Sequence, residues 1–562
     1  MRWVSLVKLE DLSFIMSKLF SLVIVVAVFK NFFSTLFTLF FLQLLICFFC
    51  NFIVLYPLNK GFRFFFKQIA LTSNKVLGTS CLLHCKRALV AIYYACYFIS
   101  LLITICSMSG FSHNLYNTFV IFNFCCFQID SVAILFILLM SILNPICFYL
   151  NFIYNFSSIL SIRLYNRYRS LVLVSNVFSL YLSLLSIILF LFFTVQNLFY
   201  FYILFEFSVL PLCFILGVFG SRLKKIKAVH YLVFFTVYSS IFFFLGLLLL
   251  QSIFGSLDLF ILLTVEIPES LQHLLWFFFF ISFATKVPIL PFHIWLPEAH
   301  VEASTEGSVI LAGLLLKLGL FGIIRFLIPI LPKACLYFTP LVYTISIVSI
   351  FYLSFTIFLQ SDIKKIIAYS SIIHMNFALL GLFSGTYLGI QGSVFLMFSH
   401  GLVSSGLFIV AGALYLKYRT RNIFYFQGLS SSNPVLANFF FLLILSNFGL
   451  PGTSGFVGEF LIILGLFKQN FFIALISLIG PLFSVLYSLF LYYRIFDGVL
   501  ITPVLVTSNV YKLRITKPVL SRFEFNVLVH LSLYNILLGV FPTPILQLLD
   551  YAALNLSITL SA

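Results

Sequence analysis

Four ionisable side chains stand inside stretches otherwise apolar enough to cross a bilayer. They are Glu206 in FYILFEFSVLP, Lys286 in ISFATKVPILP, Lys317 in LAGLLLKLGLFG and Glu459 in GLPGTSGFVGEFLIIL. A charge at a helix centre costs roughly 3 kcal/mol on insertion scales, so four unpaired ones would cost on the order of 12 kcal/mol, comparable to the stability of a whole domain. A packing ion pair between Glu206 and Lys286 is a weak reason to keep them, because apolar replacements of buried pairs are often as good. Four retained charges of both signs read better as a path for protons. Two histidines can link them: His374 in IIAYSSIIHMNF, with Ser370 one turn before it, and His400 in FSHGLVSSG, with Ser404 one turn on. Neutral imidazole accepts and donates a proton at once. A single membrane histidine more often serves a helix–helix hydrogen bond, but two on the line from Lys317 to Glu459 favour a relay. His293, just after the Lys286 segment, is a candidate for the entrance of the path.

The surroundings of Lys286 break their own helix. Pro288 cannot donate to the carbonyl of Ala284, nor Pro291 to that of Val287. Non-helical backbone at membrane depth is tolerated only when buried in protein or facing water. A hydrated break would let the Lys286 ammonium exchange its proton. Burial disfavours its charged form and a nearby Glu206 carboxylate favours it. Gly449, Pro451, Gly452 and Gly455 interrupt a second helix just before Glu459. Broken helices at matching positions of two halves point to an inverted-repeat transporter fold with its sites near the midplane.

The elements that must hold these groups are membrane helices. Of 562 residues, 62% are hydrophobic and 8% charged, against about 25% charged in an average soluble chain. Apolar runs of helix-spanning length recur, matching a hydrocarbon core about 30 Å thick, and the short alternating segments of a β-barrel are missing. Runs between polar breaks place helices at 32–56, 88–109, 129–153, 170–194, 197–219, 229–253, 273–292, 305–329, 337–359, 364–385, 389–415, 436–466, 470–494 and 524–548, with a further run at 12–29. Most basic residues fall in alternate loops: 57–87, 154–169, SRLKKIK from Ser221, Lys364 with Lys365, Lys417 to Arg421, and 494–522. Such a bias orients the chain with these loops on the side of synthesis. The net charge of +17 then reflects topology and anionic lipid, with no nucleic-acid partner needed. No dinucleotide or P-loop motif occurs. Cys47 and Cys50, spaced CxxC, lie in a lipid-length run and read as apolar packing. CLLHC at 81–85 has no second ligand pair beside it, so no metal site is expected. His230, at a helix start, and His84, His113, His273 and His530, at helix edges, read as interfacial.

At the charged segments the sequence resembles a known family. KVPILPFHIWLPEAHVEASTEGSVILAGLLLKLG, DIKKIIAYSSIIHMNF, FSHGLVSSGLFIVAGALY and LPGTSGFVGEFLIILG are similar to chain 4 of mitochondrial NADH-ubiquinone oxidoreductase, an antiporter-like membrane subunit family of respiratory complex I. The likeness runs from Gln128–Asp130 to Pro542. It implies fourteen core helices in the membrane arm, with Glu206 matching the family's fifth-helix glutamate and Lys286 the lysine of its broken seventh. Lys317 matches the eighth-helix lysine, His374 and His400 the histidines of the tenth and eleventh, and Glu459 the glutamate of the broken twelfth. Sister subunits and Mrp antiporter chains usually carry lysine there. The chain departs from the pattern in three places. Residues 1 to 120 are unlike the usual start, Tyr231 stands where bacterial members often have lysine, and AHVEAPTAGS reads AHVEASTEGS. The added carboxylate, Glu306, falls in a helix's first turn, where it favours the positive dipole end, and a structural role is expected.

The expectation is thus an all-α polytopic membrane protein with an antiporter-like fold and two inverted five-helix repeats. Its parts are an N-terminal extension with an extra helix (1–31), helices 1 to 3 (32–169), the first repeat (170–329), the second (330–494), and a basic loop with a last helix (495–562). The function implied is proton translocation coupled to electron transfer from NADH to ubiquinone, in the mitochondrial inner membrane. The path would be Glu206, Lys286, Lys317, His374, His400 and Glu459. No cofactor is expected on this chain; FMN, iron–sulfur clusters and ubiquinone belong elsewhere in the complex. Its partners would be other membrane-arm subunits, including sister antiporter-like chains, and lipid. The alternatives are a cation/proton antiporter subunit, which Glu459 disfavours, and a structural subunit with a vestigial channel, which the retained charges disfavour.

Overall fold

The computed structural model describes residues 128–161, 165–220, 222–498 and 519–561, the side chains of 152–176 and 561 excepted. The helices expected at 12–29, 32–56 and 88–109, the loop 57–87, Cys47, Cys50 and CLLHC lie outside the described residues. Of two compact units, Met1–Asp130 and Ser131–Ala562, the second is treated below.

Its main helices are α1 (Ser131–Ser161), α2 (Tyr165–Thr194), α3 (Leu198–Phe219), α4 (Lys225–Phe254), α5 (Glu269–Lys286), α6 (Trp295–Glu302), α7 (Thr305–Ile330), α8 (Pro332–Phe358), α9 (Ile363–Phe383), α10 (Tyr387–Tyr418), α11 (Pro434–Asn447), α12 (Ser454–Gln469), α13 (Phe471–Phe496), α14 (Arg522–Val540) and α15 (Thr543–Ser561). Ten spans among the described residues are long and apolar enough to cross a membrane. Helix is the only solution for such sequence in lipid, because every backbone N–H and C=O must be satisfied within the segment.

The spans sort into two layers. The apolar windows of α7 and α10 are wholly buried and those of α1 and α9 nearly so, whereas in α3, α4, α8, α13 and α14 fewer than half of the residues are buried. The outer helices present bulky apolar groups such as Leu210, Phe234, Val348 and Leu486 outward. Small residues bring inner helices together: a Cβ on Gly392 of α10 would lie 2.9 Å from the Gly458 carbonyl oxygen of α12. In a bilayer such close backbone approach replaces the hydrophobic drive that water would supply.

Two of the expected runs divide differently. The run expected as a helix over 273–292 ends at Lys286, because Pro288 cannot continue it, and WLPEAHVE forms a separate helix, α6. The carbonyl that Pro288 leaves open does not stay free: the Ile289 N–H donates to Ala284 O at 3.1 Å. The last expected helix, 524–548, is two helices parted at Phe541 and Pro542. The second of them, α15, touches α7, α8 and α10 at their ends away from Lys364. Asp550 pins it there, accepting from the Tyr387 hydroxyl and, at 2.8 Å, from Gln391 Nε2.

Candidate functional site

Lys317 lies in mid-span of α7 with none of its surface exposed. Residues Leu311–Leu315, just before it, form a π turn. The wider turn passes the Leu316 N–H to Leu311 O at 3.2 Å, and the Lys317 ammonium donates to the Ala312 carbonyl. π turns of this kind often mark functional sites. Lys317 Nζ also lies 3.0 Å from His400 Nδ1 on α10. The contact serves either protonation state, with ammonium donating to the imidazole lone pair or imidazole donating to a neutral amine.

From His400 the groups continue in one direction. Its ring centroid is 5.6 Å from that of His374 on α9, and His374 Nδ1 is 3.3 Å from Glu459 Oε1 on α12. His374 Nε2 is buried without a hydrogen-bond partner. Glu459 sits in the second turn of α12, and its other oxygen reaches back to the break between α11 and α12. A Cβ on Gly449 would lie 2.7 Å from Glu459 Oε2, and the φ of Gly449 is +72°. Only glycine meets both demands without strain. Lys317, His400, His374 and Glu459 thus form a row across four helices.

Lys286 and Glu206 are arranged more loosely. Lys286 is the last residue of α5; its Nζ donates to Phe205 O at 3.3 Å and stands 4.5 Å above the Phe205 ring. Glu206 is electrostatically coupled to Lys286, but no ion pair within 4.0 Å joins them. Glu206 Oε1 is buried without a hydrogen-bond partner. A carbonyl and an aromatic face therefore hold the cation while the carboxylate stays one step away. Trp295 Nε1 donates to Thr285 O at 2.9 Å, tying α6 back to the end of α5 and fixing the break.

No hydrogen bond joins Lys286 to Lys317 among the described residues. Their helices nevertheless touch closely, since a Cβ on Gly319 would lie 2.8 Å from Phe283 O. His293 is not brought to the row; it stands half-buried in the break, its ring 6.4 Å from that of Tyr352.

Sequence reasoning missed His300. It is fully buried on α6, stacked on Phe408 of α10 at 4.6 Å, with neither ring nitrogen hydrogen-bonded. The available signal was the alternation of Glu298, His300 and Glu302 in a segment read as a loop. Lys364 is electrostatically coupled to His300 and in turn to Glu302, Glu306 and Arg421, and nearer the rim Lys365 and Glu298 form an ion pair at 2.8 Å.

Ionisable groups meeting on buried helices beside two helix breaks define a membrane ion-transport subunit of the antiporter-like class. The family model for the transmembrane region of NADH:quinone oxidoreductases and Mrp antiporters matches residues 195–484. The chain is 45% identical over 370 residues to NADH-ubiquinone oxidoreductase chain 4 of Marchantia polymorpha, covering 66% of this chain and 72% of that one. It is 40% identical over 429 residues to the chain 4 of Prototheca wickerhamii, covering 76% and 77%. Among solved structures it is similar to a chain of respiratory complex I from Thermus thermophilus, with a TM-score of 0.70, 25% identity and coverage of 84% and 95%. A chain of the Mrp complex from a Dietzia species gives a TM-score of 0.69 at 17% identity over 84% and 93%, a likeness of fold. The chain belongs to the NADH-ubiquinone oxidoreductase chain 4 family. It is a multi-pass protein of the mitochondrial inner membrane and a subunit of respiratory complex I.

Proposed function

We propose that the chain moves protons through the membrane arm along Lys286, Lys317, His400, His374 and Glu459, with Glu206 setting the charge of Lys286. The observation that carries this reading is the 3.0 Å contact between Lys317 Nζ and His400 Nδ1, on the two spans whose apolar windows are wholly buried among the described residues. One proton can sit on either atom, so the pair passes charge without moving a helix. His374 then offers Glu459 the proton across 3.3 Å. Glu206 acts earlier. With its carboxylate charged, Lys286 keeps its proton. Once Glu206 is protonated or moved away, the buried ammonium lacks a counter-charge and tends to give its proton up.

On this reading the chain does no redox chemistry and holds no cofactor. FMN, iron–sulfur clusters and ubiquinone are bound by other subunits of the NADH:ubiquinone reductase, and sister antiporter-like chains flank this one. The two five-helix repeats, 170–329 and 330–494, act as the two half-channels, His293 standing beside the first.

Lys317→Met tests the reading. It keeps a flexible side chain of similar length and removes the protonatable group. The complex should assemble, while coupled NADH:quinone turnover falls about tenfold or more, as for loss of a positioned acid–base group. Normal protons per electron in the assembled Lys317→Met complex would refute the path.

A further inference from the structure

Two hydroxyls meet between α4 and α5 at the last turn before the first break. Ser239 Oγ of α4 lies 2.8 Å from Thr285 Oγ1 of α5, the residue before Lys286. Both residues are buried, 2% and 1% exposed. Thr285 is also held from a third helix, because its carbonyl accepts from Trp295 Nε1 of α6 at 2.9 Å. Lys286 donates to Phe205 O of α3. Three neighbouring helices thus converge by hydrogen bonds on residues 285 and 286.

The hydroxyl pair is one proton short. Ser239 Oγ also lies 2.9 Å from Thr236 O, and Thr285 Oγ1 lies 2.8 Å from Ser282 O. Each hydroxyl has one proton, so two protons serve three contacts. Either Ser239 donates to Thr285 and Thr285 to Ser282 O, or Thr285 donates to Ser239 and Ser239 to Thr236 O. Both carbonyls lie inside helices and keep their ladder N–H, so neither arrangement strands a group. The bond between the hydroxyls persists in each. The contact can therefore reverse its dipole without letting α4 and α5 part.

Hydroxyls commonly join membrane helices, and that alone would explain such a contact at any turn. Close packing of this pair is already supplied earlier in α5, where a Cβ on Gly246 of α4 would lie 2.6 Å from Phe279 Cε1. The hydroxyls stand instead where the helix stops. Beyond Lys286, α5 has no further turn to hold its end, and a group that exchanges protons must be kept within about 0.5 Å of its place.

We propose that Ser239 and Thr285 form a reversible latch that positions Lys286 against Phe205 O while the charge of Glu206 changes. Both are positioning residues, and neither carries the proton. The latch rests on the proton path proposed above and adds what keeps its switch in place. The ionisable groups coupled to Lys286 are Glu206 and Cys213, both on α3; among the described residues no group of α4, α6, α7 or α8 is.

The test uses the whole complex reconstituted in liposomes, with assembly, turnover and protons per electron followed against pH. Thr285→Val keeps the branched shape and removes the hydroxyl. The complex should assemble and its turnover fall about fivefold, less than for loss of an acid–base group itself. The alkaline limb of its pH profile should move down by about half a unit, because an ammonium held less firmly on Phe205 O gives up its proton sooner. Thr285→Ser should restore both. Ser239→Ala should match Thr285→Val, and the double variant should lose no more than either, since each breaks the same latch. Wild-type turnover in Thr285→Val overturns the latch. So does a lower turnover with an unmoved profile, a loss that Thr285→Ser leaves in place, or a double variant whose loss is the product of the single ones. If Thr285→Val fails to assemble, Ser239→Ala carries the test with the same outcomes. A normal Thr285→Val complex beside an impaired Lys286→Met complex removes the latch alone. Normal pumping in Lys286→Met removes the path on which it rests.

Discussion

In the first half of the molecule the helix break follows the charge, and in the second half it precedes it. Lys286 closes α5, where the carbonyl end of the half-helix favours a cation. Glu459 lies just inside α12 and bends its carboxylate back toward the N–H end, which favours an anion. The partners differ as well. Glu459 touches His374 directly, whereas Lys286 rests on Phe205 and forms no ion pair with Glu206. The second half reads as a closed wire and the first as an open switch, because a switch must let its two charges part at little cost.

The largest effect should come from cutting the wire. Glu459→Gln leaves His374 without an ionised partner, and proton pumping should drop about tenfold or more in an assembled complex. Pumping that stays within twofold of wild type, about 0.4 kcal/mol, would detach Glu459 from the row.

Opening the switch should cost less in stability than in function. Breaking a closed buried pair typically costs about 3–5 kcal/mol, but Lys286 keeps its carbonyl and its ring without Glu206. Glu206→Gln should therefore assemble near normal levels and pump poorly. Adding Lys286→Met should not restore pumping, because the path needs the amine. Recovery in the double variant would show that the pair is structural and the contrast between the halves unfounded.

A smaller effect separates strain from contact at the second break. Gly449→Ala and Gly452→Ala both place a Cβ at positive φ, +72° and +93°, costing about 1–2 kcal/mol each. Only the first also presses on Glu459, since nothing lies within 4 Å of a Cβ on Gly452. Both should lower the amount of assembled complex alike, and only Gly449→Ala should move the pH profile of turnover. Identical profiles would mean that the break does not position the carboxylate.

The smallest effect belongs to the surface. Glu269 and Lys333 form an exposed ion pair at 2.7 Å, 65% and 60% accessible, and such pairs contribute little. The pair depresses the ionisation range of the Glu269 carboxyl, with the Lys333 hydrogen bond the main cause. Its small contribution is thus present above the ordinary carboxyl range and lost as pH falls through the lowered one. Glu269→Gln should leave assembly and pumping unchanged at neutral pH; a clear loss would give the rim a role that the geometry does not predict.

Composition alone decided that the chain crosses a membrane as helices, because a chain with 8% charged residues cannot cover itself in water. Pro288, Pro291 and the glycines around Pro451 marked where helices must fail, a local steric matter that needs no partner. Glu206, Lys286, Lys317 and Glu459 were legible because a charge in a lipid-length run is expensive wherever the run packs. Tertiary structure decided which of these groups meet. The Lys317–His400 contact depends on a π turn that frees Ala312 O and on the approach of α7 to α10, and neither has a sequence period. The same holds for the gap between Glu206 and Lys286. His300 and Glu306 show the limit most plainly. One was passed over and the other assigned to a helix end, because burial on three helices at once is set by packing across more than sixty residues of chain, from His300 to Lys364, and not by neighbours in sequence.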